Sequence, residues 1–299
     1  MFDPSQLAAL TAILRNGSFE RAALALGVTQ SAISQRMRAL EEQVGTPLII
    51  RAQPCAATEA GRRLFQHAEE LQLLEQDVRR DLGLLGAMAP RAVGWPTLRL
   101  AVNADSLATW FVPAMASMDQ ILFDLVIDDQ DHSADWLRRG EVRAAISSMS
   151  EPVRGCDCVA LGRLRYLATA SPGFKRRWFA DGVVSVETLS AAPALTFNAK
   201  DDLQRRWADM AVGHGVTLRS HWLASSTAFV EAALCGMGWA MNPVLLVADA
   251  LAEGRLEELV PDLPLDVPLY WHVSRSVKRQ LAPVTDLVLT HAGKVLLPL

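Results

Sequence analysis

The feature that most constrains this chain is a run of short, sharply punctuated helical patterns at residues 18–45, SFERAALALGVTQSAISQRMRALEEQVG. Ser18 is placed to cap the helix FERAALAL, which stops at Gly27. Thr29 caps the next helix, with Val28 and Ile33 at hydrophobic-staple positions. Ile33, Met37, Leu40 and Val44 recur at i, i+4, i+7 and i+11, giving that helix one buried stripe. Gln30, Ser31, Ser34, Gln35 and Arg38 lie on the other side. Two helices joined by a tight, glycine-containing turn form the helix-turn-helix pattern, here at about 18–38. A third helix precedes it. Asp3 caps it, Pro4 takes its first position, and Gln6 its third, a capping-box arrangement. Phe2 and Leu7 staple it, Leu7, Leu10 and Leu14 share a face, and Asn16-Gly17 ends it.

The segment TPLIIRAQPCAATEAG (46–61) carries a β-prone LII, two prolines and an Ala-Thr run, which predicts a short two-stranded wing. From Thr58 to about Leu85 one long helix is expected. Leu64, Leu71, Val78 and Leu85 repeat every seven residues there, with Ala68, Leu74 and Leu82 beside them, a seam that favours pairing between subunits. GLLGAMAPRAVGWP (83–96) reads as a hinge-like linker.

Beyond it the pattern changes to LRLAVNA (98–104), FDLVIDD (123–129), AAIS (144–147), LGRLRYLATAS (161–171), PALTFN (193–198), HWLAS (221–225), WAMNP (239–243) and VPLYWHVS (267–274), separated by helical stretches. A closing helix spans VKRQLAPVTDLVLTHAGKVL. Strands alternating with helices predict a mostly parallel α/β sheet, and the length favours two lobes with a cleft between them.

Composition narrows the function classes. The chain has 299 residues, half of them hydrophobic. The longest apolar candidate, VLLVADALA, is cut by Asp249, too short for a membrane span. MFDPSQL has no secretory pattern, so a cytoplasmic location is expected. Cys55, Cys156, Cys158 and Cys235 give no CxxC pair at zinc-ligand spacing, and the CxC reads as small residues entering a strand. Net charge is −4. Residues 1–60 carry Arg15, Arg21, Arg36, Arg38 and Arg51 against Asp3, Glu20, Glu41, Glu42 and Glu59, a balance of zero. If this unit binds nucleic acid, it does so with a few well-placed arginines. Arg36 is expected at the edge of the unit, paired with Glu20 or Glu41.

The order and spacing of SFERAALALGVTQSAISQRMRALEEQVGTPLIIR (18–51) and ATEAG (57–61), followed by the long helix and the α/β part, resemble the LysR-type transcriptional regulators. The resemblance covers nearly the whole chain. It implies an α/β protein overall: a mainly α winged helix-turn-helix at 1–60, a dimerisation helix at 58–88, a hinge at 89–96, and a two-lobed α/β effector domain of periplasmic-binding-protein type at 97–299. Lobe I would hold about 97–162 and 268–299, lobe II about 163–267. AVNADSLATWFVPA (101–114), DDQDHSADWLRRGEV (128–142), SSTAFVEAA (225–233) and LDVPLYWHV (265–273) further resemble the ArgP/LysG branch. That branch responds to lysine and arginine and controls basic amino-acid export; one group has been described as inhibitors of chromosome initiation.

A helix in the major groove reads base edges with amides, hydroxyls and guanidinium groups, its N-terminal residues first. Gln30, Ser31 and Ser34 are the candidate base readers, Gln35 serves base or phosphate, and Arg38 holds a phosphate. The resemblance adds Arg51 as a wing contact to phosphate and Thr58 as a hydroxyl that can touch phosphate while capping the long helix. Double-stranded operator DNA is the implied partner, bound by a homodimer or, as the family implies, a homotetramer, with RNA polymerase a further candidate partner.

In open α/β sheets ligands sit beyond the carboxyl ends of strands, near helix N-termini. Asn103, Asp105 and Ser106 follow the first strand, and Pro113 is expected to separate their helical turn from the main helix. Asp105 or Asp129 can hold an ammonium or cationic side chain. Ser147 follows AAIS; Asn198 and Asp201 open one helix of the second lobe, Ser226 and Thr227 another. Asp105, Asp201 and Ser226 are equally plausible as helix N-caps. Trp110, Trp239 and Trp271 suit either the core or the wall of a site. No metal and no cofactor is expected. No GxSxG, Walker or GxGxxG motif supports an enzyme. The rival readings are a regulator with another small-molecule effector, and an amino-acid solute-binding protein.

Overall fold

The computed structural model describes residues 1–82, 97–119, 121–128, 133–180 and 182–299. The expected hinge at 89–96, Leu85 and Asp129 lie outside them. The chain divides into two compact units, residues 1–97 with 120–122, and residues 98–119 with 123–299. No helix among the described residues is long and apolar enough to cross a membrane.

The first unit opens with three helices, α1 (Pro4–Asn16), α2 (Phe19–Leu26) and α3 (Gln30–Val44). Asp3, Ser18 and Thr29 cap them through their side chains, each cap worth about 1 kcal/mol. Gln6 does not complete the capping box: its Oε1 has no partner among the described residues. Ile33, Met37 and Leu40 are at most 1% exposed and pack with Leu7, Leu10 and Ile13. Burying a side chain of this kind contributes roughly 1.5–3 kcal/mol, so the stripe on α3 fixes which side of that helix faces out.

A two-stranded wing follows, β1 (Ile49–Ile50) antiparallel to β2 (Ala56–Ala57), and then α4 (Glu59–Asp81). Glu41 does not pair with Arg36. Its Oε1 accepts the N–H groups of Leu48 at 2.8 Å and Ile49 at 3.4 Å, so α3 holds the start of the wing. The first turn of α4 is tied to the same place. Thr58 donates its hydroxyl to the Pro47 carbonyl at 2.8 Å and accepts the Gly61 N–H at 3.0 Å. Leu64 therefore faces inward, 8% exposed, in one core with Ala68. Leu71 and Val78 stand 41% and 57% exposed, beside exposed Leu74 and Leu82.

The second unit is a two-lobed α/β domain. Its elements are β3 (Thr97–Asn103), α5 (Ala104–Ser106), α6 (Val112–Ala116), β4 (Leu122–Asp128), α7 (Ser133–Arg138), β5 (Ala144–Ser147), β6 (Cys156–Ala170), α8 (Pro172–Trp178), α9 (Val186–Ala191), β7 (Pro193–Thr196), α10 (Leu203–Val212), β8 (Arg219–Trp222), α11 (Ser226–Leu234), β9 (Ala240–Pro243), α12 (Val244–Ala252), β10 (Glu257–Glu258), β11 (Leu265–Ser274) and α13 (Ala282–Val295). The main sheet runs β10-β6-β11-β5-β3-β4, with β9 also on β6.

The sheet is mixed rather than mostly parallel. The pair β3–β5 is parallel, but β6 is antiparallel to β9, β10 and β11, and β11 to β5; β7 and β8 form a separate parallel pair. Residues 148–155, which join β5 to β6, contain no helix. Strand β11, the last in the chain, enters between β5 and β6 antiparallel to both, and that insertion is what makes the sheet mixed. Strand β6 serves both lobes: Cys156–Ala160 pairs with Tyr270–Ser274 of β11, and Tyr166–Thr169 pairs with β9. Pro113 does not separate two helices. Helical geometry is continuous from Ala104 to Ala116, through a π-helical turn at Leu107–Phe111 that admits the proline, which has no N–H to donate.

Candidate nucleic-acid interface and effector cleft

On α3, Gln30, Ser31, Gln35 and Arg38 are exposed and Ser34 is half-buried; Ser31, Ser34, Gln35 and Arg38 turn from the Ile33–Met37–Leu40 stripe, and Gln30 stands exposed at the N-terminal end of the helix. The Ser31 hydroxyl lies 2.9 Å from the capping Thr29 hydroxyl. Arg51 is exposed on the wing, its guanidinium 5.1 Å over the ring of Phe19. Thr58 is half-buried and both its hydroxyl bonds are internal, so its visible work is structural. The interface thus offers amides, hydroxyls and two arginines on a helix-and-wing surface.

In the second unit an open cleft is lined by Asp105, Asp128, Phe197, Asp201, Gln204 and Ser226, with Ala104, Leu203, Phe229 and Met241. Three carboxylates meet an apolar wall. Burial pushes the Asp105 carboxyl above its usual range, against the nearby hydroxyls of Ser226 and Tyr166, which favour its charged form. Tyr166 donates to its Oδ2 at 2.7 Å. Burial also raises Asp201, against the N–H groups of Phe197 and Leu203, bonded at 2.9 and 3.1 Å, and the Gln204 side chain. Trp136 donates its Nε1–H to Asp128 at 3.0 Å.

Of the residues expected from sequence, Asp105, Asp201 and Ser226 meet in this cleft. Ser226 is not the helix cap; Ser225 is, accepting the Ala228 N–H at 3.3 Å, which leaves the buried Ser226 hydroxyl beside the Asp105 carboxyl in the cleft. Asn103 and Ser106 do not line the cleft, but both are buried with polar atoms unpartnered among the described residues. Ser147 is buried and accepts the Met149 N–H. Asn198 caps a local turn through the Lys200 N–H, and the Thr227 hydroxyl is shared with Ser225. Trp110, Trp239 and Trp271 are core residues, at most 3% exposed, and phenyl rings line the cleft in their place. Sequence reading missed Asp128, Phe197, Leu203, Gln204, Phe229 and Met241. Alternation from the core residue Val126 would have pointed to Asp128, two positions on along the same strand.

Residues 4–62 match the family model of bacterial regulatory helix-turn-helix proteins of the lysR family, and residues 96–294 match that of the LysR substrate binding domain. The chain belongs to the LysR family. It is a DNA-binding transcriptional regulator of that type, and its ArgP/LysG likeness holds over full length. The regulator is 41% identical to the HTH-type transcriptional regulator ArgP of Pseudomonas fluorescens over 304 residues, 100% of both chains. It is 39% identical to the lysine export transcriptional regulatory protein LysG of Corynebacterium glutamicum, over 99% of this regulator and 100% of that protein. Among solved structures, full-length LysG from Corynebacterium glutamicum with bound effector Arg matches with a TM-score of 0.67 and 38% identity, covering 99% of this chain and 100% of that one.

Proposed function

We propose that the effector of this regulator is a basic amino acid, lysine or arginine, and that its target genes include an amino-acid exporter. The observation that carries this reading is the pair Asp105 and Asp201 in one cleft walled by Phe197, Phe229 and Met241. Two carboxylates held against burial gain when a cation arrives, because opposite charge offsets desolvation. The apolar wall suits the methylene stem of the side chain. The arginine bound to LysG and the name of the lysine-export relative support the same choice. Ser226, which lines the cleft, is the candidate for the α-carboxylate, and the buried Asn103 and Ser106 lie outside the lining. Calorimetry with arginine, lysine and the neutral norleucine tests the reading; heat from the two basic amino acids alone is expected, and silence from all three rejects it. Binding should also release protons, since a bound cation draws both raised carboxyls back toward the charged form.

At the DNA, Gln30, Ser31 and Ser34 read bases, Gln35 serves base or phosphate, and Arg38 and Arg51 hold phosphates. The regulator works by binding, without catalysis, in the cytoplasm. It acts as a homodimer or homotetramer with the exposed Leu71 and Val78 of α4 at the pairing seam, and RNA polymerase is a candidate partner. Arg38→Ala should weaken binding on every duplex and lower the salt slope by about one for each phosphate left without its arginine. Gln30→Ala should instead change the preferred base at one position, by about 1–3 kcal/mol. A binding-site selection and a salt titration on both variants check this; interchangeable results for the two would reject the division of labour.

A further inference from the structure

We propose that Phe19 is a positioning residue for DNA binding, its ring the platform that holds the Arg51 guanidinium ready for a backbone phosphate. The proposal rests on the reading of Arg51 as a phosphate contact. The Arg51 guanidinium carbon lies 5.1 Å above the Phe19 ring centroid. Phe19 opens α2 directly after the Ser18 cap and packs partly against the winged-helix core, so the ring is held from behind by the fold. No carboxylate among the described residues pairs with Arg51.

The chemistry of the contact suits this role. Stacking on an aromatic face engages the flat surface of a guanidinium. A ring, unlike a carboxylate, takes no N–H bond from the guanidinium edge, and that edge is the part that donates two parallel bonds to a phosphate. An ion pair with a carboxylate would do the reverse, consuming the edge. A free arginine on a wing must also lose rotamer freedom when it meets DNA, and one already stacked loses less.

The far end of the wing loop is fastened to the same neighbourhood by an independent contact. The Cys55 N–H donates to the Gly17 carbonyl at 2.8 Å. Gly17, in a left-handed conformation at φ 72°, lies so close to Pro54 that an added Cβ would sit 2.9 Å from the proline Cβ. Residues 51–55 are thus held at both ends by the turn between α1 and α2: Arg51 at Phe19, Pro54 and Cys55 at Gly17. The wing arginine and the helix-turn-helix form one unit, and the ring sets where the charge stands.

The test is a double-mutant cycle on the full chain, by fluorescence anisotropy with a labelled duplex of the intergenic DNA upstream of its own gene. Arg51→Ala should weaken binding about fivefold or more and lower the salt slope by about one for each phosphate left without its arginine. Phe19→Leu should weaken it about three- to tenfold when Arg51 is present and less than about twofold in the Arg51→Ala background, the non-additivity expected of coupled neighbours. Phe19→Trp, which keeps a platform, should stay within about twofold of the parent. Equal losses from Phe19→Leu in both backgrounds would make Phe19 a fold residue only and overturn the proposal. No loss in either would overturn it as well. Silence of Arg51→Ala would overturn the phosphate reading and the platform together.

Discussion

Asp105→Asn is expected to abolish the response to arginine while making the ligand-free protein more stable. The two effects have one cause. The Asp105 carboxyl is buried and raised above its usual range, so above the ordinary carboxylate range the empty cleft must either hold on to a proton or bear a charge that burial opposes. Asparagine has nearly the same shape, keeps an oxygen to accept the Tyr166 hydroxyl, bonded at 2.7 Å in the parent, and removes the charge. Relief of an under-compensated buried charge should stabilise by about 1–2 kcal/mol, or a few degrees in Tm for a domain of this size, at roughly 2–4 °C per kcal/mol. A charged hydrogen bond to the ligand is lost, worth about 1.5–3 kcal/mol, so affinity should fall about 10- to 100-fold.

The pH dependence fixes the sign. The folded-state pKa is raised above the unfolded value, so the folded state holds this proton more tightly. Its contribution to stability is full below the unfolded pKa and is lost as pH rises through the folded one. The variant's advantage should therefore be largest at pH 7–8 and shrink as pH falls toward the ordinary carboxylate range. Asp201→Asn is the contrasting case. Asp201 accepts backbone N–H groups with both oxygens, and an amide can accept with only one. It should lose arginine binding without the gain in Tm. Thermal unfolding across pH with and without arginine measures both; an Asp105→Asn protein less stable than its parent at pH 7.5 would rule out the argument.

What could be read from the sequence divides along physical lines. The three opening helices were legible because their ends are local chemistry: Asp3, Ser18 and Thr29 cap, and Gly17, Gly27 and Gly45 close in the left-handed region. The outward face of α3 followed from the stripe it opposes. The cleft was legible only where a polar residue follows a strand or opens a helix, as Asp105, Asp201 and Ser226 do. Its walls come from Phe197, Leu203, Phe229 and Met241, on separate segments with no shared period, and only the tertiary fold brings them together. Small offsets carried weight. Whether Ser225 or Ser226 caps α11 decides which hydroxyl faces the cleft, and element ends are where sequence patterns are least sharp. The heptad on α4 misled at its first position because Leu64 repeats in phase with Leu71 yet is claimed by the wing-and-helix core.

Gly61→Ala should cost the protein its DNA binding, although by helix propensity alone it ought to help. Alanine in place of a helical glycine stabilises by about 1 kcal/mol. Gly61, however, sits in the first turn of α4 where a Cβ would fall 1.9 Å from the Leu48 carbonyl oxygen and 2.8 Å from its carbon. These are backbone atoms and cannot swing away. Leu48 is itself fully buried and held at both ends of its peptide: its N–H goes to Glu41 at 2.8 Å and its carbonyl accepts the Thr58 N–H at 3.0 Å. Relieving the clash means moving α4 off the wing, which strains the Thr58 cap, the Glu41 anchor and the Ile49–Ala57 pairing at once. A forced shift of packed backbone costs about 3 kcal/mol or more, which outweighs the propensity gain. The second unit does not contain this contact, so arginine binding should persist while affinity for DNA drops more than about 100-fold, the scale of that free-energy loss at about tenfold per 1.4 kcal/mol. Anisotropy on DNA and calorimetry with arginine, run on the same preparation, separate the two. A Gly61→Ala protein binding DNA within twofold of its parent would mean that α4 does not need to lie against the wing, and that the recognition helix is positioned by the three-helix core alone.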